Sequence, residues 1–501
     1  MLAAALVVGG TIAAVMPGAL VGVFYDDGIY LALARSLAEG HGYHLLYLPG
    51  APGGVHYPFG YPAFLAALWK LWPHFPANVA LFRAANALLM AVFAALTVGH
   101  LADRVLGRRW AAALVVALAA TALPLVTVAT ILFAEPLFLA LAAAACWVAE
   151  AASRAAGRRG ALIAALAGAL AGSAALTRSI GIALVLGIVV TLFLARRPRA
   201  ALIAGAVAAA ILAPWSLWVA AHHAELDGAI ASGYGTYGDL LRQSGWSWLS
   251  LRSFADVGGP LGTIALPPVP GLRALLAIPA CALLLFGLAQ LVRRIPTLGW
   301  TLAFYLGIVL VWPYGPDRFL WAALPWLAVA FVLGVESAWR RSAEASVAAG
   351  QVIRVAAAAG ALGVIVGFGT FQVRGYVNGW ATSTQRGISE TMNTILPWIR
   401  GKTEPGAVIA GEDEALIWLY TGRHAVPNYL WRVRGRSAEG LGADSLHAWL
   451  DRARADYLVL TGPRSDPAAA VDALMGSRPG YLQMIQVWPG PMFAFRVHRA
   501  T

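Results

Sequence analysis

The sequence predicts a polytopic α-helical membrane protein of about eleven transmembrane helices followed by a C-terminal soluble α/β domain. Three observations carry this. Of 501 residues 60% are hydrophobic and only 12% charged, with a mean hydropathy of +0.70, more apolar surface than one water-soluble core can bury. Apolar runs of about 20 residues, the length that crosses a bilayer, recur between residues 3 and 371. Beyond Gly375 they give way to short apolar stretches alternating with polar ones.

The net charge of +12 comes almost wholly from arginine, Lys70 and Lys402 being the only lysines. The arginines fall in short turns between apolar runs, the pattern of loops that stay on the cytoplasmic side, so no nucleic-acid partner is expected. Cys146 and Cys281 both lie inside apolar runs, which indicates neither a disulfide framework nor a zinc site. No Lys or Arg precedes the first run and no soluble domain directly follows it, so it reads as an uncleaved anchor.

Spans are expected near residues 3–24, 79–102, 110–129, 132–150, 161–177, 179–195, 200–219, 272–292, 297–313, 319–338 and 352–371. With a cytoplasmic N-terminus, the turns bearing Arg104, Arg108, Arg109, Arg154, Arg158, Arg159, Arg196, Arg197, Arg199, Arg293, Arg294, Arg340, Arg341 and Arg354 all lie inside. Residues 61–72 are apolar too, but they are short, carry Lys70 and are bounded by Pro62 and Pro73. A span there would put every later arginine cluster outside, so this segment is expected as a helix on the membrane surface. The expected organisation is a membrane domain over 1–374, with external juxtamembrane loops at 25–78 and 220–271, and an external domain over 375–501. The protein is expected in the cell (inner or plasma) membrane.

In the first external loop Asp26 and Asp27 come directly after an uncharged run. Ile29, Ala32, Leu33, Ser36 and Leu37 then form one apolar-to-small face of a short helix that Gly40 and Gly42 stop, capped by the acids and lying along the membrane surface. His56-Tyr57-Pro58-Phe59-Gly60-Tyr61-Pro62 is too rigid for a flexible loop and suits the wall of a cavity. Further along, Glu135 opens a span with Pro136 at its first helical position, while Arg178 and Arg318 occupy very short external turns. Each has a plainer reading: a helix cap, a snorkelling arginine, an Asp317–Arg318 structural pair. Together they supply acids to accept a proton and arginines to hold a phosphate on one membrane face.

The second external loop holds His222, His223, Tyr234, Tyr237, Trp246 and Trp248, which suit a segment lying among headgroups and equally a sugar-stacking wall. In the tail, helices are expected at 388–400, 412–420, 445–455 and 467–475, and strands at 407–410, 456–460, 481–488 and 492–497. His424, beside Arg423 at a helix exit, reads as structural.

Asp26-Asp27-x-x-Tyr30, the Tyr57-Pro58 to Tyr61-Pro62 segment, Phe133-Ala134-Glu135-Pro136-Leu137, Thr177-Arg178 and Asp317-Arg318-Phe319-Leu320 to Pro325 resemble the GT-C glycosyltransferases. The group that contains protein O-mannosyltransferases and lipid A aminoarabinose transferases is the most similar. The resemblance covers roughly residues 1–370, and the tail fits the same layout. It implies an inverting transferase that passes a sugar from a polyprenyl-phosphate donor to a hydroxyl of an envelope glycan, lipid or protein on the external face. By the same resemblance Asp26 is the base and Glu135 lines the cavity, with Asp27 beside them as a catalytic candidate; His56, Tyr57, Tyr61 and Tyr30 are expected among the substrate-binding residues. Asp27 is expected mainly to organise the loop. The sequence departs at His56-Tyr57, where aminoarabinose transferases carry an acid followed by a lysine that approaches the lipid phosphate. Arg178 and Arg318 remain as the phosphate-binding candidates. Asp26, Asp27 and Glu135 offer oxygen ligands to a divalent ion, but two arginines already neutralise a phosphate, so no metal or other cofactor is favoured. A transporter of polyprenyl-linked sugars, the rival reading, would show repeat symmetry, which this sequence lacks. A non-catalytic binding protein would keep the acids for structure alone.

Overall fold

The computed structural model describes residues 1–16, 18–102, 104–105, 107–244, 251–434, 437–461, 465–490 and 492–499. Trp246 and Trp248 lie outside them. The chain builds a helical bundle capped at one end by a layer made from the first long loop and a C-terminal sheet. Helix α1 covers Leu2–Ala14, α2 Asp26–Ala38, α3 Gly60–Leu71 and α4 Val79–Leu101. Next come α5 (Arg109–Ala120), α6 (Leu123–Thr130), α7 (Glu135–Arg154), α8 (Gly157–Thr177), α9 (Ile182–Leu194) and α10 (Pro198–His222). Two short helices, α11 (Ala231–Tyr234) and α12 (Tyr237–Ser244), precede α13 (Leu251–Ala265), α14 (Pro270–Arg294), α15 (Pro296–Val311), α16 (Asp317–Glu344), α17 (Val347–Val377) and α18 (Trp380–Lys402).

Among the described residues seven helices are long and apolar enough to cross a membrane, or eight if α5 and α6, bent by 62°, form one span. Three expected spans coincide instead with shorter apolar helices, Leu2–Ala14, Ser179–Leu194 and Pro296–Val311. The protein is thus multi-pass, and the first expected span holds a helix shorter than the apolar run that predicts it. The apolar run continues to Phe24, yet the helix ends at Ala14. Val23 packs with Met392, Ile395 and Ile409 of the C-terminal region. Leu20 N–H donates to Ser389 Oγ at 3.0 Å and Val21 N–H to the Tyr420 hydroxyl at 3.2 Å. These apolar side chains are buried by protein, not by lipid.

Small residues let the bundle close. A Cβ on Gly168 would collide with the Ala204 carbonyl oxygen and one on Gly172 would lie 3.1 Å from Ala208 Cα, so α8 and α10 meet backbone to backbone. The two helices share the four-residue spacing of small residues that suits helix contact in lipid.

After α18 the chain forms β1 (Val408–Gly411), α19 (Glu414–Thr421), β2 (His424–Pro427), β3 (Trp431–Arg434), β4 (Ser437–Gly440), α20 (Ala443–Arg452), β5 (Tyr457–Leu460), α21 (Ser465–Ser477), β6 (Leu482–Trp488) and β7 (Met492–Val497). The five-stranded sheet has the order β2-β1-β5-β7-β6, parallel across β2, β1 and β5 and antiparallel thereafter, with β3–β4 a separate hairpin. Every expected tail helix and strand has a counterpart, whereas β2, β3 and β4 were not expected: β3 and β4 carry charged residues in place of an apolar run, and β2 follows the α19 helix exit directly.

The sheet does not stand apart. One continuous core joins Tyr30 and Tyr61 of the first loop to Ala410 and Leu458 of the sheet. A Cβ on Gly28 would lie 3.1 Å from Ala415 Cβ, which brings α2 directly against α19. Helix α2 therefore differs from the surface-lying amphipathic helix expected, because nine of its 13 residues are buried between α3 and α19. The second loop differs likewise: α10 runs on to His222, and α11, α12 and α13 occupy most of the loop beyond it.

Candidate active site

Asp26, Glu135, Arg178 and Arg318 are brought together at the ends of four helices. Asp26 opens α2, Glu135 opens α7, Arg178 is the extended residue that ends α8, and Arg318 lies in the first turn of α16. Arg318 spans the acids. Its Nε donates to Glu135 Oε1 at 2.5 Å and its Nη2 to Glu135 Oε2 at 3.2 Å, while Nη1 pairs with Asp26 Oδ2. Arg178 Nη1 pairs with Glu135 Oε1 from the other side. Glu135 is fully buried, so two guanidiniums that would repel each other are held side by side by one carboxylate between them. Arg318 also lies 3.5 Å over the Phe133 ring and Arg178 5.0 Å over Phe319, which fixes both planes.

The second oxygen of Asp26 accepts the Tyr57 hydroxyl at 2.6 Å. Tyr57 is placed in turn by Tyr30, whose ring sits edge-on to it at 5.0 Å and to Tyr61 at 5.1 Å. Burial raises the phenols of Tyr30 and Tyr57 well above their ordinary value, so both stay protonated and can donate. The imidazole of His56 is pushed down by burial and is neutral at pH 7. Its Nδ1 faces the Gly235 carbonyl at 2.7 Å, and since a carbonyl only accepts, Nδ1 carries the proton.

Asp27 points elsewhere. Its carboxylate accepts Gly22 N–H at 2.6 Å and Phe24 N–H at 2.8 Å, closing the chain on itself before α2. Between Phe24 and Asp26, Tyr25, at φ 64 and ψ −69, forms the centre of a γ-turn closed by Asp26 N–H to the Phe24 carbonyl at 2.7 Å. That hand of the γ-turn is strained for a residue with a side chain.

These groups border a cavity of about 370 Å3 lined, among others, by Asp26, Tyr30, His56, Tyr57, Arg178 and Arg318. Glu135, Asp27 and Tyr61 do not line it. Glu135 was expected in the wall but stands behind the two guanidiniums, Asp27 is turned to backbone amides, and Tyr61 meets Tyr30 edge-on with its hydroxyl donating to Asn86 at 3.2 Å. Among the described residues no three His, Cys, Asp or Glu side chains converge as a metal site, and the oxygens of Asp26, Asp27 and Glu135 do not share a point.

The fold of the chain is similar to that of two solved structures. ArnT from Cupriavidus metallidurans in the apo state matches 97% of this chain and 95% of its own, with a TM-score of 0.52 and 16% identity. The archaeal oligosaccharyltransferase AglB from Archaeoglobus fulgidus, in complex with an inhibitory peptide and a dolichol-phosphate, matches 99% of this chain and 74% of its own, with a TM-score of 0.51 and 12% identity. Both are GT-C superfamily proteins. The chain has the GT-C fold. No family model matches the sequence. No curated protein matches it either.

Within this GT-C fold the cavity wall also holds Tyr237, one of the second-loop aromatics that suited either headgroups or a sugar-stacking wall, and Trp312, Tyr314 and Trp431, which the sequence did not mark as site residues. Tyr237 packs on His56 at 4.8 Å and on Trp312 at 5.3 Å, and Tyr314 meets Trp431 edge-on at 5.8 Å. Tyr314 and Tyr237 lie in segments whose polar or aromatic content stands out in the sequence. Trp431 gave no signal, because it reaches the cavity from a hairpin of mostly polar strands, WRVR and SAEG, with no apolar run to mark them.

Proposed function

We propose that the protein is a membrane glycosyltransferase that moves a sugar from a polyprenyl-phosphate donor to a hydroxyl of a cell-envelope acceptor, with inversion at the anomeric carbon. The observation that carries this reading is the convergence of one carboxylate, Asp26, and two guanidiniums, Arg178 and Arg318, on a single aromatic-lined cavity at the end of a membrane bundle. A neighbour of the same fold holding a dolichol-phosphate supports a lipid phosphate as the bound group.

The geometry supplies each part of a displacement. Tyr57 and Arg318 each occupy one oxygen of Asp26, and each carboxylate oxygen keeps a further lone pair for an acceptor hydroxyl. Asp26 takes the hydroxyl proton as the acceptor oxygen bonds to the anomeric carbon. The bond from that carbon to the phosphate oxygen breaks, and its electron pair leaves with the phosphate. The N–H groups of Arg178 and Arg318 not turned toward the acids receive the developing charge, without a divalent ion. Because Glu135 already holds the guanidiniums in place, little reorganisation accompanies the step. The site and the C-terminal sheet are assigned to the external face, opposite the arginine-rich turns.

Incubation of purified protein with radiolabelled polyprenyl-phosphate sugars and envelope membranes tests this. Transfer of label that Asp26→Asn abolishes is expected. Absence of transfer by wild-type protein from every polyprenyl-phosphate hexose and pentose would overturn the reading.

A further inference from the structure

A second cavity, of about 240 Å3, opens at the carboxyl ends of the parallel strands β1 and β2, where Gly411 pairs with Pro427. In open α/β sheets that edge is where ligands bind, because the strands stop there and the loops diverge around a crevice. Its lining holds Glu414, which accepts the Tyr234 hydroxyl, and Asn428, whose amide donates to the Val459 carbonyl at 2.9 Å. Tyr429, Trp431 and Tyr25 line it as well. Hydrogen-bonding groups and aromatic rings around one space are what a hydroxyl-rich ring with apolar C–H faces requires.

The position matters as much as the lining. Tyr25, Ser232, Gly233 and Trp431 border this cavity and the Asp26 cavity alike. Tyr25 is the residue immediately before Asp26, its ring packs on Tyr234 at 5.8 Å, and a Cβ on Gly233 would lie 2.6 Å from its hydroxyl. A strained turn at Tyr25 thus aims one side chain into the partition between the two spaces.

We propose that this second cavity is an acceptor subsite that takes a sugar ring of a glycan-bearing acceptor and presents its neighbouring hydroxyl to Asp26. The inference rests on the transferase reading above and assigns the acceptor, as a carbohydrate, to the face of the C-terminal sheet. The donor phosphate stays with Arg178 and Arg318.

The test uses full-length protein in nanodiscs and two substitutions at residues that line only this cavity, Ala229→Trp to fill it and Tyr429→Ala to strip a wall. Saturation-transfer NMR reads binding of mannotriose, arabinotriose and a lipopolysaccharide core oligosaccharide, with a serine-rich peptide as the competing class, and polyprenyl phosphate binding reports that each variant is folded. The expected result is binding of at least one oligosaccharide by wild type, weakened about tenfold or more by both variants while polyprenyl phosphate binding is unchanged. In transfer assays the acceptor KM should rise with the donor KM constant. Oligosaccharide binding untouched by either variant, no oligosaccharide binding at all, or loss of peptide binding in their place would overturn the subsite while leaving the transferase reading intact. Wild-type protein that binds oligosaccharide but transfers no label would overturn the transferase reading instead.

Discussion

At Asp26 the two oxygens have separate partners, a phenol and a guanidinium, and the proposed base is therefore oriented before any substrate arrives. Asp26→Asn keeps the shape and removes the proton acceptor, so turnover should fall on the order of 100-fold or more with donor binding retained; near-normal transfer by folded variant would reject the role. Arg318→Lys loses the planar fork that reaches Asp26 and Glu135 together, and donor binding should weaken. Glu135→Gln leaves two buried guanidiniums without their shared carboxylate and should cost about 3 to 5 kcal/mol, read as a lowered melting temperature. Asp27 has a different signature. Burial pushes its carboxyl up to about 6, against the opposing pull of the Phe24 and Gly22 N–H bonds. Because the unfolded chain releases this proton at lower pH than the native protein, ionising Asp27 costs stability. The cost is absent below the ordinary carboxylate range, grows as pH rises toward 6 and is constant above it. Melting temperatures of wild type and Asp27→Asn, followed from about pH 4 to pH 7, should therefore show the wild-type advantage shrinking with rising pH. A difference that stays flat would mean Asp27 does not titrate in this window.

Among the elements, α2 and α3 decide where these residues stand. The glycines at 40 and 42, both with positive φ, end α2 as its sequence indicates, but its burial follows from α19, which no local pattern announces. Helix α3 begins at Gly60, where a Cβ would lie 2.8 Å from the Leu176 carbonyl oxygen and 3.0 Å from Thr177 N. The helix start therefore rests on the turn that carries Arg178. Gly60→Ala should force the two apart and raise the donor KM on the order of tenfold or more, whereas Gly10→Ala, with open space around it, should not. Equal kinetics for the two variants would show that this contact does not position Arg178.

On the scale of the whole molecule, charge is segregated between the two ends of the bundle. Arg197 reaches the Ser153 carbonyl at 3.4 Å, Arg104 pairs with Glu150, and Arg294 with Glu336 at 2.9 Å, all at helix ends remote from Asp26. The C-terminal sheet joins the site end, where Arg452 meets Asp227 at 2.9 Å. In a background lacking Cys146 and Cys281, cysteines placed at Arg158 and Arg197 should resist impermeant reagent in intact cells, while one at the exposed Arg434 should be labelled. Labelling at Arg434 only after lysis would reverse the orientation. Chelator should leave transfer unchanged, because the proposed step places the charge of the phosphate on the two guanidiniums; restoration of a chelator-treated enzyme by a divalent ion would assign that task to a metal.

The sequence by itself determined the membrane class, the break in character after the last apolar run, and Asp26, Arg178 and Arg318 as polar groups where spans end. These follow from local quantities: hydropathy over a window, proline and glycine at boundaries, charge in a turn. Only the tertiary structure decided that Glu135 stands behind the guanidiniums, that the apolar residues 20–24 serve the C-terminal domain in place of the bilayer, and that Trp431 reaches the cavity of Asp26. Those outcomes depend on contacts between segments hundreds of residues apart, and hydropathy alone does not distinguish burial in lipid from burial in protein.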